Sequence, residues 1–172
     1  MSPVALQIGI ETLRQGGSAA DAAIAVALTQ NIRALGSFVS YAGIAQILYF
    51  EAKSGKVSSL DTGWATYRGE TELPTLSPTA TSAAPGRKTL VPGFMAGMGA
   101  LHERFGVLPW SELFAPAIWY AENGVPISPL LEGYFRLREK ELARTEAGRK
   151  FLLGARGRRP AKGDIFVQSE LA

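Results

Sequence analysis

The chain has 172 residues, 47% of them hydrophobic and 19% charged, with 19 Gly, 10 Pro and a formal net charge of +3. That balance excludes a disordered tail, a collagen repeat and a heptad-patterned coiled coil. Zero cysteines remove disulfides, thiolate nucleophiles and Cys-ligated zinc together.

In chain order, Val4, Ile8 and Leu13 with Ala5 and Thr12 predict a helix from Pro3 to about Gln15, stopped by Gly16-Gly17. The opening has no basic leader followed by an apolar run and a cleavage site, so it reads as helix and not as a signal peptide. Ser18 and Asp21, three apart, have the spacing of a capping pair at the start of a second, Ala-rich helix running to about Gln30. Small side chains on nearly every face predict that this helix is sandwiched inside the protein. Its apolar run, Ala19 to Leu28, is ten residues long and contains Asp21, well short of the roughly 18 to 20 a membrane span requires.

Ile44 to Phe50 and Val57 to Leu60 predict two strands joined at Ser54-Gly55 as a hairpin. Thr71 to Lys88, with Pro74, Pro78 and Pro85, predicts a long loop. Helices resume from Pro92, with Phe94, Met98, Leu101 and Phe105 on one face and Gly106 as the stop. Ser111 to Asn123 follows, where Pro116 belongs in a first turn or at a kink. Ser128-Pro129 then caps a helix reaching Leu142. Gly154 to Lys162 reads as loop.

Candidate chemistry is sparse. His102 is the single histidine and sits beside an apolar stripe, where a partly solvated boundary position is expected. The carboxylates lack Asp-x-Asp clustering, so no metal site is expected. Asp21 reads as a helix cap before it reads as a catalytic acid. Gly93 and Gly97 form a GxxxG, which in this setting means close packing. Arg136 to Lys162 holds ten Lys/Arg against three Glu, a local +7, and Arg156, Arg158 and Arg159 within it suit a polyanion. Nucleic-acid binding is nevertheless not expected, because no aromatic stacking series interleaves and Glu139 and Glu141 alternate with Arg138 and Lys140 as on a solvated face.

The order of motifs carries more. Leu13-Arg-Gln-Gly-Gly-Ser-Ala-Ala-Asp-Ala-Ala23 resembles the Gly-Gly-Asn-Ala-x-Asp-Ala-Ala signature of the γ-glutamyltranspeptidase (glutathione hydrolase) family. Tyr49 to Val57 with Leu60-Asp61, Thr89 to Gly97, Phe105 to Ile118, Gly124 to Pro129 and Gly163 to Gln168 are similar to further segments of that family, in the same order.

The resemblance spans nearly the whole chain and implies an α+β fold, part of the αββα sandwich of the N-terminal nucleophile (Ntn) hydrolases. Such a precursor cuts itself into a large and a small subunit, and the freed N-terminal Thr attacks a γ-glutamyl amide without a cofactor. None of the ten threonines here is followed by Thr or His. The resemblance therefore implies residues 1–172 as a partial large-subunit region, the small subunit as partner and a nucleophile outside the chain. Taken alone, such a region is expected to be inactive and to expose apolar faces.

Two departures suggest a divergent branch of the family. Where classical members read Asp-Phe-Arg-Glu, with the Arg gripping the substrate carboxylate, this chain reads Asp61-Thr-Gly-Trp64. Arg68 is the candidate replacement as a bidentate carboxylate donor, against the alternative of an exposed structural arginine. The glycine-rich segment is also altered, to Ser37-Phe-Val-Ser-Tyr-Ala-Gly43. Another Ntn acylase and a basic, non-catalytic binding module stay open as alternatives.

Overall fold

A computed structural model describes residues 3–71 and 89–172. The predicted Thr71 to Lys88 loop lies outside the described residues from position 72 onward. Two compact units divide the chain, one of Met1–Ser40 with Gly106–Ala172 and one of Tyr41–Phe105.

In the first unit, helix α1 (Pro3–Arg14) packs on helix α2 (Ala19–Ala34). Small residues set the contact: Ala5, Gly9 and Thr12 are the buried positions of α1, and a Cβ on Gly9 would stand 2.7 Å from Val26 Cγ2. Leu13, expected on this face, is exposed instead, because the close approach centres the contact on Gly9. Helix α2 is the sandwiched element its composition predicts, with ten of its sixteen residues buried. It runs four residues beyond the expected end and closes on Leu35, left-handed at φ 50°.

A 3-10 turn (Trp110–Phe114) leads into α4 (Ala115–Asn123), and both pack on α2. Pro116 sits in the first turn of α4 and produces no interior break. Helix α5 (Pro129–Leu142) starts as predicted, with the Leu131 amide donating to Ser128 Oγ at 3.2 Å.

The sequence reading missed α6 (Glu146–Leu153), capped by Thr145, and the two-residue strands β3 (Val125–Pro126) and β4 (Ile165–Phe166), which pair antiparallel. Ile127, Leu131, Phe135, Leu152 and Phe166 form an apolar cluster around these elements.

The second unit holds the predicted hairpin. Strands β1 (Gln46–Glu51) and β2 (Lys56–Asp61) pair from Gln46↔Asp61 to Glu51↔Lys56, turning through Gly55 at φ +67°. Helix α3 (Phe94–Phe105) contacts β2, and Phe105 stacks on Tyr49 with ring centroids 3.9 Å apart.

Candidate functional site

The segment leaving β2 is pinned at two points. Thr62 is buried and fixed to Ala45. Its N–H donates to the Ala45 carbonyl at 2.9 Å, its hydroxyl donates to the same oxygen at 2.8 Å, and the Ala45 N–H donates to Thr62 Oγ1 at 2.6 Å. Three residues on, Ala65 and Val91 exchange both backbone hydrogen bonds, at 3.1 and 2.8 Å.

Glycine makes this approach possible. A Cβ on Gly93 would stand 2.5 Å from the Thr62 carbonyl oxygen, and one on Gly97 2.0 Å from Thr62 Cγ2. The GxxxG that leads into α3 is therefore a seat for a strand end, whereas such spacing more often brings two helices together.

From this frame the chain presents Gly63, Trp64, Thr66, Tyr67 and Arg68, all exposed. Arg68 pairs with no carboxylate among the described residues. Asp61 Oδ1 lies 3.2 Å from where a Gly63 Cβ would be. The position at which classical members carry the arginine clamp thus has a carboxylate beside a bare backbone. Burial pushes the Tyr41 phenol up to about 12, keeping it protonated. Half-buried His102 lies on α3, the boundary position expected of it.

Asp21 is a structural carboxylate. It completes a capping box, accepting the Ser18 N–H at 2.8 Å while Ser18 Oγ accepts the Asp21 N–H at 3.1 Å. It also accepts from Val107 and Leu108, at 2.9 and 3.3 Å, a second role that local spacing does not reveal. Burial alone would raise its pKa, but the amides of Ser18, Val107 and Leu108 outweigh this and hold it below the usual carboxylate value.

Within the basic tract, the arginine cluster and Lys150 are paired inside the chain. Arg156 and Arg158 both meet Asp164, Arg159 meets Glu139 at 2.6 Å and Lys150 meets Glu170.

The motif segments noted in the sequence thus meet in pairs: Ser18 and Asp21 with Val107 and Leu108, Thr62 with Val91 to Gly97, and Val125-Pro126 with Ile165-Phe166. A sequence profile of the family described as gamma-glutamyltranspeptidase matches residues 5–172. The chain belongs to the γ-glutamyltranspeptidase family.

It is 32% identical over 179 residues to the glutathione hydrolase proenzyme of Pseudomonas aeruginosa, covering 96% of this chain and 29% of that protein. The crystal structure of Helicobacter pylori gamma-glutamyltranspeptidase matches with a TM-score of 0.85 at 26% identity, over 99% of this chain and 50% of that one. A cephalosporin acylase from Bacillus halodurans matches at 0.80 and 25%, over 99% of this chain and 33% of that one. The α+β arrangement is a part of the Ntn-hydrolase fold of these transpeptidases. The chain spans 29–30% of the length of the curated relatives that match it first.

Proposed function

We propose that the chain is the N-terminal part of the large subunit of a γ-glutamyltranspeptidase-type amidohydrolase, contributing scaffold and one wall of the acyl pocket. The nucleophilic Thr belongs to the remainder of the precursor. Its hydroxyl attacks the amide carbonyl of a γ-glutamyl or related donor while its own amine takes the proton. The amine product leaves with that proton, and water or an acceptor amine then releases the acyl group. No cofactor enters this chemistry. The observation that carries the reading is the family match across residues 5–172.

Arg68 is the residue proposed to meet a donor carboxylate, because it is exposed on a segment whose backbone is pinned at Thr62 and Ala65. Incubating the precursor that carries this chain with γ-glutamyl-p-nitroanilide tests the reading. Release of p-nitroaniline is expected, with none from residues 1–172 alone.

A second reading, an Ntn acylase for other amides, is favoured by Gly63 and Trp64 standing where classical members carry the clamp and by the likeness to the cephalosporin acylase. Cleavage of other acyl amides with no p-nitroaniline release would select it. A polyanion-binding module is disfavoured by the internal pairing of Arg156, Arg158 and Arg159.

A further inference from the structure

Helix α6 and the segment through β4 border a cavity of about 830 Å³, inside the range of about 300–1,000 Å³ typical of small-molecule sites. Its apolar side is built from Phe151, Leu153, Ile165, Phe166, Val167 and Leu171. The floor is held from behind: Phe151 and Phe166 meet edge to face at 5.1 Å, and Phe135 of α5 lies 5.9 and 5.4 Å from their rings. Leu153, Ile165, Val167 and Leu171 nevertheless stay exposed, so the apolar wall is accessible.

The charges on the lining are unequal. Lys150, Arg156 and Arg158 stand against Asp164 and Glu170. Lys150 and Glu170 pair with each other, which leaves two guanidinium groups to one carboxylate. Asp164 is fixed in place: its carbonyl accepts the Ile127 N–H at 2.8 Å, its N–H donates to the Ala161 carbonyl at 3.0 Å, and its Oδ2 accepts the Ala161 N–H at 2.9 Å. It orients Arg158 through Nη2 on Oδ1 at 2.9 Å and Nη1 on Oδ2 at 2.8 Å, and it takes Arg156 through Nη1. A guanidinium carries more N–H donors than these contacts use, and both arginine side chains are 52% exposed.

We propose that this cavity binds an amphiphilic monocarboxylate, a medium-chain fatty acid anion, with its chain along Phe151, Ile165 and Leu171 and its head on the donors of Arg156 and Arg158 that Asp164 leaves unused. A second carboxylate brings acceptors and guanidinium groups to parity, and charge-assisted, forked pairing suits that head. A polyanion would have to displace Asp164, whereas a single head only adds to it. A cationic amphiphile meets the excess positive charge, and a small anion gains nothing from the apolar wall.

Calorimetric titration of the intact precursor with decanoate, kept monomeric, tests the site. Saturable binding is expected, with acetate and decyltrimethylammonium each weaker by at least about tenfold. Arg156→Ala combined with Arg158→Ala should weaken decanoate by at least about tenfold through loss of charge-assisted hydrogen bonds, at an unchanged circular-dichroism spectrum. Phenylglyoxal modification of the unsubstituted precursor, resolved by peptide mass, reads the same contact without substitutions. Decanoate at about ten times its Kd should slow labelling of Arg156 and Arg158 about tenfold and leave Arg14, exposed on α1, unchanged. Absence of saturable binding would overturn the proposal and leave the cavity to the remainder of the precursor. Equal affinity for decanoate and decyltrimethylammonium would overturn it as well, and so would equal labelling of the two arginines with and without decanoate. None of these readings is amide turnover, so the proposal and the catalytic reading stand or fail separately.

Discussion

Asp21 accepts the Val107 amide at 2.9 Å across 86 positions of chain, so one carboxylate both starts α2 and holds the stretch leading to Trp110. Its role is set by geometry on both sides: Gly17 leaves room for Leu108, whose Cδ1 would stand 2.9 Å from a Cβ there.

Asp21→Ala is expected to cost about 3–5 kcal/mol, since it removes a cap and leaves buried amides without their charged acceptor. Urea denaturation at neutral pH checks this through a lowered midpoint at unchanged slope. A loss below about 1 kcal/mol would refute the double role.

The same carboxylate predicts an acid-side dependence. Its folded pKa lies below the ordinary value of 3.8, so its contribution is fully present above the unfolded pKa and is lost as pH falls through the folded one. Stability should drop between pH 5 and 3 more steeply in the parent than in Asp21→Asn, and parallel profiles would sink the assignment.

Gly97→Ala is expected to destabilise by about 1–3 kcal/mol through overpacking against Thr62. Thr62→Ser removes the methyl that the new Cβ would strike at 2.0 Å, so the double variant should recover at least about 0.5 kcal/mol relative to additivity. Strict additivity in a thermal or urea cycle would mean the two positions do not touch.

If Arg68 meets a donor carboxylate, Arg68→Ala should raise KM for γ-glutamyl-p-nitroanilide about tenfold or more while kcat changes little, the loss of a charge-assisted pair. Arg68→Lys should recover part of this, and amides without a carboxylate should be unaffected. An unchanged KM would return Arg68 to the exposed structural role.

Asp164 is held at about 2 by the Arg158 side chain, with the Ala161 amide and Arg156 adding to it. It therefore stays charged, and paired with both arginines, across the physiological range. Asp164→Ala should lengthen retention on heparin and make it more salt-sensitive. Equal elution of parent and variant would show that the pairing does not mask the basic cluster.

What was legible in the sequence was local. Ser18 with Asp21, Ser128 with Pro129, Pro116 and the Ser54-Gly55 turn each encode their geometry within a few residues, and each element stands where those signals put it. What was missed depends on distant partners or on brevity. The Val107 and Leu108 contacts to Asp21 need the tertiary fold, strands of two residues carry no period to detect, and the apolar face of α6 is masked by Arg149 and Lys150. The site followed the same division: exposure of Arg68 was among the two expectations, whereas the seat made by Gly93 and Gly97 for Thr62 required coordinates.

Gln168 also bears on how the chain is made. Its side-chain amide donates to the Ile32 carbonyl at 3.0 Å, 136 positions earlier, and its backbone N–H donates to Ala121. The Ile32 carbonyl, which already accepts the Leu35 N–H at 3.3 Å, thus gains a second donor translated long after it. A nascent chain leaving the ribosome can form α1 and α2 early, yet gains this second contact only when residue 168 emerges. This predicts that chaperone dependence persists until residue 168 has emerged, when loop closure over that span can occur.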